Sequence, residues 1–214
     1  MTPQTIRTII GHWSSANRGR AEEILAGYPE RRSAVMPLLY LASLEHDYAS
    51  DEAMREVAAL VGITPSQVRS VASFYTMYKR EPVGTYLVSV CTSISCHLLG
   101  GDAVLSSIAQ ASGVAHGETS DDGVISVERV ECIGACGGAP AMQVNYELVE
   151  GVTPDKAAAL VAWLRQTTPS VVLADEMQQL FGGQRSFETG PSESTGAIAP
   201  VPAFGPYGST GEGR

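Results

Sequence analysis

The stretch VECIGACGGAP, residues 130–140, decides the interpretation of this sequence, because it places Cys132 and Cys136 in a loop of small residues. The other two cysteines of the chain, Cys91 and Cys96, lie upstream in VCTSISCHLLGG, residues 90–101. The four therefore form a C-x4-C pair and a C-x3-C pair, with 35 residues between the pairs. Two close pairs separated by such a gap indicate one site with four thiolates.

Each cysteine pair follows a predicted strand. TYLVSV (85–90) leads into Cys91, and GVISVERVEC (123–132) ends at Cys132; both segments are rich in β-branched residues. If the two strands run parallel, both pairs lie at the same edge of the sheet. That is the arrangement that a shared metal site requires.

The segments around these strands predict a small α/β unit. HLLGGDAVLSSIAQASGV (97–114) has the pattern of a helix that begins close to the second cysteine, and AMQVNYELVE (141–150) that of two strands joined by a tight turn. Thr153 and Pro154 are typical of a helix start. This order of strands and helices predicts a sheet with helices on one face.

Three occupants of the thiolate site are considered: zinc, an iron-sulfur cluster, or no metal and two disulfides. Structural zinc with four cysteines usually takes a C-x2-C knuckle, which is absent here, whereas a two-iron cluster spreads its ligands over two irons and tolerates longer spacings. A thioredoxin-type thiol catalyst would also need C-x-x-C. The spacing favours a [2Fe-2S] cluster.

A Rieske-type centre would require two histidines in place of two cysteines. No C-x-H spacing is present among the four histidines, which are His12, His46, His97 and His116. His97 adjoins Cys96 and could donate to a cluster, but the pattern favours an exposed position at the helix start.

The loop residues suit an anionic cluster. Gly134, Gly137 and Gly138 lack the β-carbons that would keep backbone N–H donors away from the cluster sulfurs. Ser93 and Ser95 are further candidate donors, and a helix that starts near the second cysteine would add positive partial charge. We predict that these five residues surround the cofactor.

The rest of the chain predicts a helical N-terminal unit and a low-complexity tail. Residues 17–80 show helical spacing, with Ser50 or Asp51 as one cap and a capping box at Thr64 in TPSQVRSVASFYTMY. Phe74, Tyr75 and Tyr78 are interpreted as packing residues rather than cofactor contacts. A short helix is predicted in DEMQQLFGG (175–183), and the following residues are rich in Gly, Pro and Ser without periodicity.

The predicted fold class is α+β, with units at 1–80 and 81–167 and a largely irregular extension at 168–214. The formal net charge of −9, with no dense Lys/Arg run, does not favour DNA or RNA as a partner. The longest apolar stretch, AVMPLLYLA (34–42), is too short for a membrane span, and the start of the chain lacks a secretory pattern. We expect a cytoplasmic protein with reduced thiols.

With these motifs in place, the chain resembles the thioredoxin-like [2Fe-2S] subunit of respiratory NADH:quinone oxidoreductase (complex I), called the E subunit in bacteria. The resemblance covers residues 28–166, from YPERRSAVMPLLYLA through VASFYTMYKREPVGTYLVSVCTSISC to VECIGACGGAPAMQVN and GVTPDKA. It does not extend into the tail.

The resemblance implies a thioredoxin-like [2Fe-2S] ferredoxin domain behind the helical unit, with the cluster on Cys91, Cys96, Cys132 and Cys136. It also implies a partner subunit that binds FMN and NADH and exchanges electrons with the cluster. Further subunits of the hydrophilic arm would complete a complex that attaches to the cytoplasmic face of the inner membrane without a span in this chain. No G-x-G-x-x-G follows a predicted strand, so FMN and NADH are expected only in the partner.

Two alternatives remain open at this point. Related subunits serve NAD-linked hydrogenases and formate dehydrogenases through a similar flavin partner. From another class, the chain could be a structural zinc module whose role is assembly alone.

Overall fold

The computed structural model describes residues 2–186, which divide into two compact units. The described residues up to Pro82 form the helical unit, and those from Val83 onward form the second unit, which contains the sheet. The sequence-based extension 168–214 is described only as far as residue 186, and the Gly/Pro/Ser-rich remainder lies outside the described residues.

The helical unit contains five α-helices and one short 3-10 helix between residues 2 and 82. They are α1 (Pro3–Ile10), α2 (Ser15–Gly27), the 3-10 helix (Arg31–Ala34), α3 (Val35–Glu45), α4 (Asp51–Val61) and α5 (Pro65–Phe74). Fully buried Trp13, Leu38 and Leu60 lie in its core.

The helix ends in this unit follow local sequence chemistry. Ser50 caps α4 by accepting from the Ala53 N–H at 3.0 Å, and Gly62 ends the same helix with φ +78°. At α5 the capping box predicted from the sequence is present: Thr64 Oγ1 accepts from Gln67 N–H at 3.3 Å, and Gln67 Oε1 accepts from Thr64 N–H at 3.0 Å.

The aromatic residues after α5 differ in their surroundings. Tyr78 is buried, and its hydroxyl donates to the Met36 carbonyl at 2.9 Å. Burial, followed by the neighbouring Tyr40 and Tyr75, raises the Tyr78 pKa to about 12. Phe74, by contrast, is 77% exposed and contributes little to the core of its own unit.

The second unit is a five-stranded sheet with helices. Its elements are β1 (Tyr86–Cys91), α6 (Ile94–Leu98), α7 (Gly101–Ser112), β2 (Glu118–Thr119), β3 (Ile125–Val130), a 3-10 helix (Cys136–Gly138), β4 (Met142–Val144), β5 (Glu147–Val149), α8 (Pro154–Thr167) and α9 (Ala174–Phe181). The strand order is β2-β3-β1-β4-β5. β1 is parallel to β3 and antiparallel to β4.

Two details differ from the sequence-based prediction. The helix expected as one element over residues 97–114 is interrupted at Leu99 and Gly100, where Gly100 adopts φ +100°. The short strand β2 was not predicted, because two exposed residues are too few to show an alternating pattern.

The core of the second unit lies between the sheet and its helices. Tyr86, Val88 and Val90 on alternate positions of β1 belong to one buried cluster with α7 and α8. The prediction of a helix after Thr153 is confirmed, since its side chain accepts from Lys156 N–H at 3.4 Å. Among residues 2–186, no helix combines the length and apolar character needed to span a membrane.

Residues 174–186, which we call the strap, begin with α9 and pack against the rest of the second unit. Met177 is fully buried, and Phe181 is 8% exposed and packs against Trp163. The short helix predicted in residues 175–183 is present as α9.

Candidate metal centre

Sheet register brings the two cysteine pairs to one edge. Cys91 is the last residue of β1 and is paired with Val130, the last residue of β3, and Cys132 follows two residues later. Because the strands are parallel, both ligand loops leave the sheet at the same end. Cys91 and Cys96 are each 3% exposed, whereas Cys132 and Cys136 are exposed.

The structure brings the four cysteines of the predicted site together. The sulfurs of Cys132 and Cys136 are 3.9 Å apart, and Cys91 and Cys136 are both close enough to Cys96 to act electrostatically on it. Two thiolates bound to one tetrahedral ion at about 2.3 Å would lie about 3.8 Å apart. All four thiols are free, which does not favour the disulfide alternative.

The environment of Cys96 opposes ionisation of its free thiol. Burial, opposed by the Ala141 N–H 3.4 Å from the sulfur and reinforced by the neighbouring Cys91, raises the pKa of Cys96 to about 11. A free Cys96 is therefore protonated at neutral pH, and a bound metal would have to displace this proton.

A glycine that was not predicted from the sequence supports the first cysteine pair. A β-carbon at Gly101 would lie 2.7 Å from the Cys91 carbonyl oxygen and 2.9 Å from the Cys96 carbonyl oxygen. Only glycine permits α7 to start this close to the ligand backbone. The Gly100-Gly101 pair is the sequence signal that could have indicated it.

The three glycines of the second loop have different roles in the structure. Gly134 adopts φ +91°, a conformation that favours glycine. A β-carbon at Gly137 would lie 3.0 Å from Ser186 Cα, and one at Gly138 would lie 2.8 Å from the Gln184 carbonyl oxygen. The space beside Gly137 and Gly138 is thus taken by the strap, whereas the sequence-based prediction reserved it for cluster sulfurs.

The strap is hydrogen-bonded to this loop. Gly138 N–H donates to Ser186 Oγ at 3.1 Å, while Ser186 N–H donates to Glu150 Oε1 at 3.0 Å and the Ser186 hydroxyl donates to the same oxygen. Glu150 is 8% exposed, and its own N–H donates to Gln178 Oε1 at 2.8 Å. These contacts could not be predicted from local sequence patterns, because they join residues far apart in the chain.

The predicted polar neighbours of the cluster have other partners. Ser93 Oγ donates to Glu131 Oε2 at 3.2 Å, and Ser95 is half-buried within α6. His97 is exposed, with Nδ1 2.7 Å from Asp102 Oδ2, which agrees with a position at the protein surface. The helix expected to start near Cys96 starts at Ile94, so Cys96 lies in its first turn.

Comparison with known proteins identifies related chains. The profile of the family described as "Thioredoxin-like [2Fe-2S] ferredoxin" matches residues 21–165. The E subunit of the NADH-quinone oxidoreductase of Mycobacterium tuberculosis is 46% identical over 149 residues, which is 70% of this chain and 59% of that protein. NADH-quinone oxidoreductase subunit 2 of Thermus thermophilus is 44% identical over 147 residues, which is 67% of this chain and 81% of that protein.

Among solved structures, an NAD⁺-reducing [NiFe]-hydrogenase in its air-oxidized state has a similar fold. The TM-score is 0.57 at 20% identity, over 69% of this chain and 25% of the hydrogenase chain. At this identity the likeness concerns the fold alone. The chain spans 59% of the length of the mycobacterial relatives it matches.

Proposed function

Because this chain belongs to the thioredoxin-like [2Fe-2S] ferredoxin family, we propose that it is the electron-transfer subunit of an NADH-quinone oxidoreductase. In this proposal one [2Fe-2S] cluster is held by Cys91, Cys96, Cys132 and Cys136. One observation carries the proposal: both cysteine pairs lie at the carboxyl ends of two adjacent parallel strands, and all four thiols are free.

The residues present suit such a cluster. A [2Fe-2S] cluster accepts and releases one electron at a time, and its net charge is negative when four thiolates hold it. The Ala141 N–H, which lies 3.4 Å from the Cys96 sulfur, would stabilise that charge. The buried pair would shield one side of the cluster, while Cys132 and Cys136 would leave the other side near the surface.

The surface beside the first cysteine pair suits a protein partner. Ile94 and Leu98 of α6 are 80% and 76% exposed, and Leu99 is 61% exposed. An apolar patch this close to the ligands is suited to burial in an interface. We propose that this patch contacts the partner subunit that binds FMN and NADH. The remaining hydrophilic-arm subunits of the complex would link these two subunits to the cytoplasmic side of the membrane.

The relatives favour a quinone-linked complex over the alternatives. Both relatives described above, at 46% and 44% identity, are named as NADH-quinone oxidoreductase subunits. The hydrogenase similarity, at 20% identity, supports only the fold. The zinc alternative uses the same thiolates and is therefore separated from the proposal by metal analysis.

The first experiment identifies the metal. The full-length chain, purified anaerobically, should contain two irons and two acid-labile sulfides, and dithionite should produce a reduced-cluster EPR signal. One zinc per chain at the cysteines in place of iron would refute the cluster. Replacement of Cys132 by Ser should abolish or alter the signal, and an unchanged spectrum would refute the ligand assignment.

The second experiment tests the partner surface. Leu98→Ser should weaken binding to the co-expressed flavin subunit by about tenfold or more while leaving the EPR spectrum of the cluster unchanged. Leu180→Ser, at a leucine on α9 that is 50% exposed, is the matched control and should bind as the wild type does. Equal binding by both variants and the wild type would place the interface elsewhere.

A further inference from the structure

Three side chains with metal-binding chemistry meet in the helical unit. His12 lies in the loop between α1 and α2, His46 directly follows α3, and Glu56 lies in α4. His12 Nε2 is 2.9 Å from Glu56 Oε1, and His46 Nε2 is 2.8 Å from Glu56 Oε2. One donor atom from each of the three residues lies within 4.8 Å of the others.

The carboxylate at the centre of this group is buried and held in one orientation. The Glu56 side chain is 9% exposed, and its Oε2 accepts from Trp13 Nε1 at 3.0 Å. Trp13 is 1% exposed, so this donor is fixed by the core of the unit. A carboxylate oriented by a second hydrogen-bonding partner is typical of metal ligands.

The two histidines differ in how far their side chains are exposed to solvent. The His46 side chain is 14% exposed, whereas that of His12 is 54% exposed. The loop that carries His12 is held by the Arg18 guanidinium, which donates to the Gly11 carbonyl at 2.9 Å and to the Trp13 carbonyl. A solute can therefore reach the group past His12 while the backbone stays in place.

A second carboxylate adds negative charge nearby. Glu45 accepts from Ser14 N–H at 3.0 Å and from Asn17, and it interacts electrostatically with His12. Two acidic side chains beside two imidazoles provide an electrostatic environment that favours a cation.

We propose that His12, His46 and Glu56 form a binding site for a divalent transition metal ion of the zinc type. Two imidazole nitrogens and one carboxylate oxygen are a ligand set that zinc takes in proteins, and the remaining position is filled by water. This site lies within the helical unit, shares no residue with the cysteine centre and is independent of the proposed electron-transfer function.

Metal binding requires a small, local change. Donor atoms bound at about 2.0–2.1 Å to a tetrahedral ion lie about 3.4 Å apart, so the present N···O contacts of 2.9 and 2.8 Å are about half an ångström too short for two ligands of one ion. One Glu56 oxygen becomes the ligand, and the imidazole rings move to suit it. The Nε2–H hydrogen bonds to Glu56 are replaced by metal bonds, and each neutral imidazole carries its proton on Nδ1 instead. The exposed His12 side chain can make this movement without disturbing the core.

Zinc chloride and cobalt chloride are the probes for this site. Binding is measured by calorimetry on the full-length, cluster-containing chain, in which iron already occupies the cysteines. The variants are His12→Gln and His46→Gln, and the matched control is His116→Gln, a histidine of the second unit whose Nδ1 accepts from Arg129 N–H. Since His12 is largely exposed, its variant should fold as the wild type does.

We expect the wild type and His116→Gln to bind one zinc per chain, and both ligand variants to bind it at least about tenfold more weakly. Cobalt should give weak visible bands without the intense sulfur charge-transfer bands of a thiolate site, and these bands should be lost in His12→Gln. The proposal is overturned if the wild type binds no zinc beyond any held by its cysteines, or if His12→Gln binds zinc as tightly as the wild type.

Discussion

Burial and a backbone hydrogen bond have opposite effects on the pKa of the Cys96 thiol. Burial raises its pKa to about 11, and the Ala141 N–H partly opposes this by stabilising the thiolate. The Ala141 N–H is too weak a donor to bring the pKa of the free thiol back to its ordinary value. It lies where it would stabilise a metal-bound thiolate. The sulfur is therefore unreactive without a metal and suited to ligation when one is present.

The first prediction concerns thiol reactivity in the folded, cluster-free protein. At pH 8 iodoacetamide should label Cys132 and Cys136 far faster than Cys96, because only about one Cys96 thiol in a thousand is then a thiolate and the side chain is 3% exposed. Mass spectrometry of the labelled peptides measures the rates. In guanidinium chloride the difference should vanish, and equal rates in the folded protein would contradict the prediction.

The same pKa predicts how the stability of cluster-free protein changes with pH. Because the folded-state pKa of Cys96 is raised from 9.0 to about 11, the folded state binds more protons than the unfolded state between these values. Its contribution to stability is complete below pH 9 and is lost as the pH rises through about 11. Urea unfolding should show that the stability of the wild type relative to Cys96→Ala falls as the pH rises from 9 to 11, because the buried tyrosines contribute equally to both proteins.

Gly101 provides a third prediction at the scale of one residue. Gly101→Ala places a β-carbon 2.7 Å from the Cys91 carbonyl oxygen, so we expect a loss of about 1–3 kcal/mol in the free energy of unfolding. Gly19→Ala, in α2 with no heavy atom within 4 Å of the new carbon, should instead gain about 0.5–1 kcal/mol. Urea unfolding of the two variants should give shifts of opposite sign.

At the scale of secondary-structure elements, the sequence predicted best where short-range chemistry determines the element. The cap at Ser50, the capping box at Thr64 and the cap at Thr153 could all be predicted because the interacting residues lie within four positions of one another. The order of the main strands and helices followed from the same local patterns. The family inferred from these motifs is confirmed by the profile match.

The features that the sequence did not predict depend on contacts between distant residues. Gly138 and Ser186 are 48 positions apart, and no local pattern links them. The group formed by His12, His46 and Glu56 was missed for the same reason, since its members come from three separate elements. The four cysteines could be grouped from their spacing in the sequence, but the distant residues that pack against their loops could not be predicted.

The strap provides a prediction at this scale. Ser186→Ala leaves the Gly138 N–H without its hydroxyl acceptor, and we expect a loss of about 1 kcal/mol in stability and faster loss of the cluster on exposure to a chelator. Ser106→Ala is the control, because that hydroxyl donates only to the Asp102 carbonyl within its own helix. Identical rates of cluster loss in the two variants would show that the strap does not support the ligand loop.

At the scale of the whole molecule, both units of the described chain carry exposed apolar side chains. Phe74 is 77% exposed at the end of α5, and Ile94 is 80% exposed beside the cysteines. Exposed aromatic and aliphatic side chains of this kind are suited to interfaces in a larger assembly. Each unit thus has an exposed apolar side chain that a partner could cover.

We therefore predict that the isolated, cluster-loaded chain does not oxidise NADH. Hydride transfer needs a cofactor that accepts two electrons, and a [2Fe-2S] cluster accepts one. Mixing the chain with NADH and ferricyanide should give no enzymatic turnover until the flavin subunit is added. Turnover by the chain alone would reveal a nucleotide site within it.

A last prediction concerns the helical unit, whose residues 1–80 we expect to help hold the flavin subunit. Phe74→Ser should reduce co-purification of that subunit without lowering the thermal stability of the chain, since the side chain is largely exposed. Thr8→Ser, at an exposed position on α1, is a neutral control. Undiminished co-purification would locate the interface entirely on the second unit.

The contact between the strap and the ligand loop also has a consequence for biosynthesis. A ribosome produces Gly138 well before Ser186, so the last cysteine is translated while the residue that hydrogen-bonds its loop has yet to be made. The complete loop can form only after residue 186 has emerged from the ribosome. Insertion of the proposed cluster into the finished loop therefore follows that stage of translation.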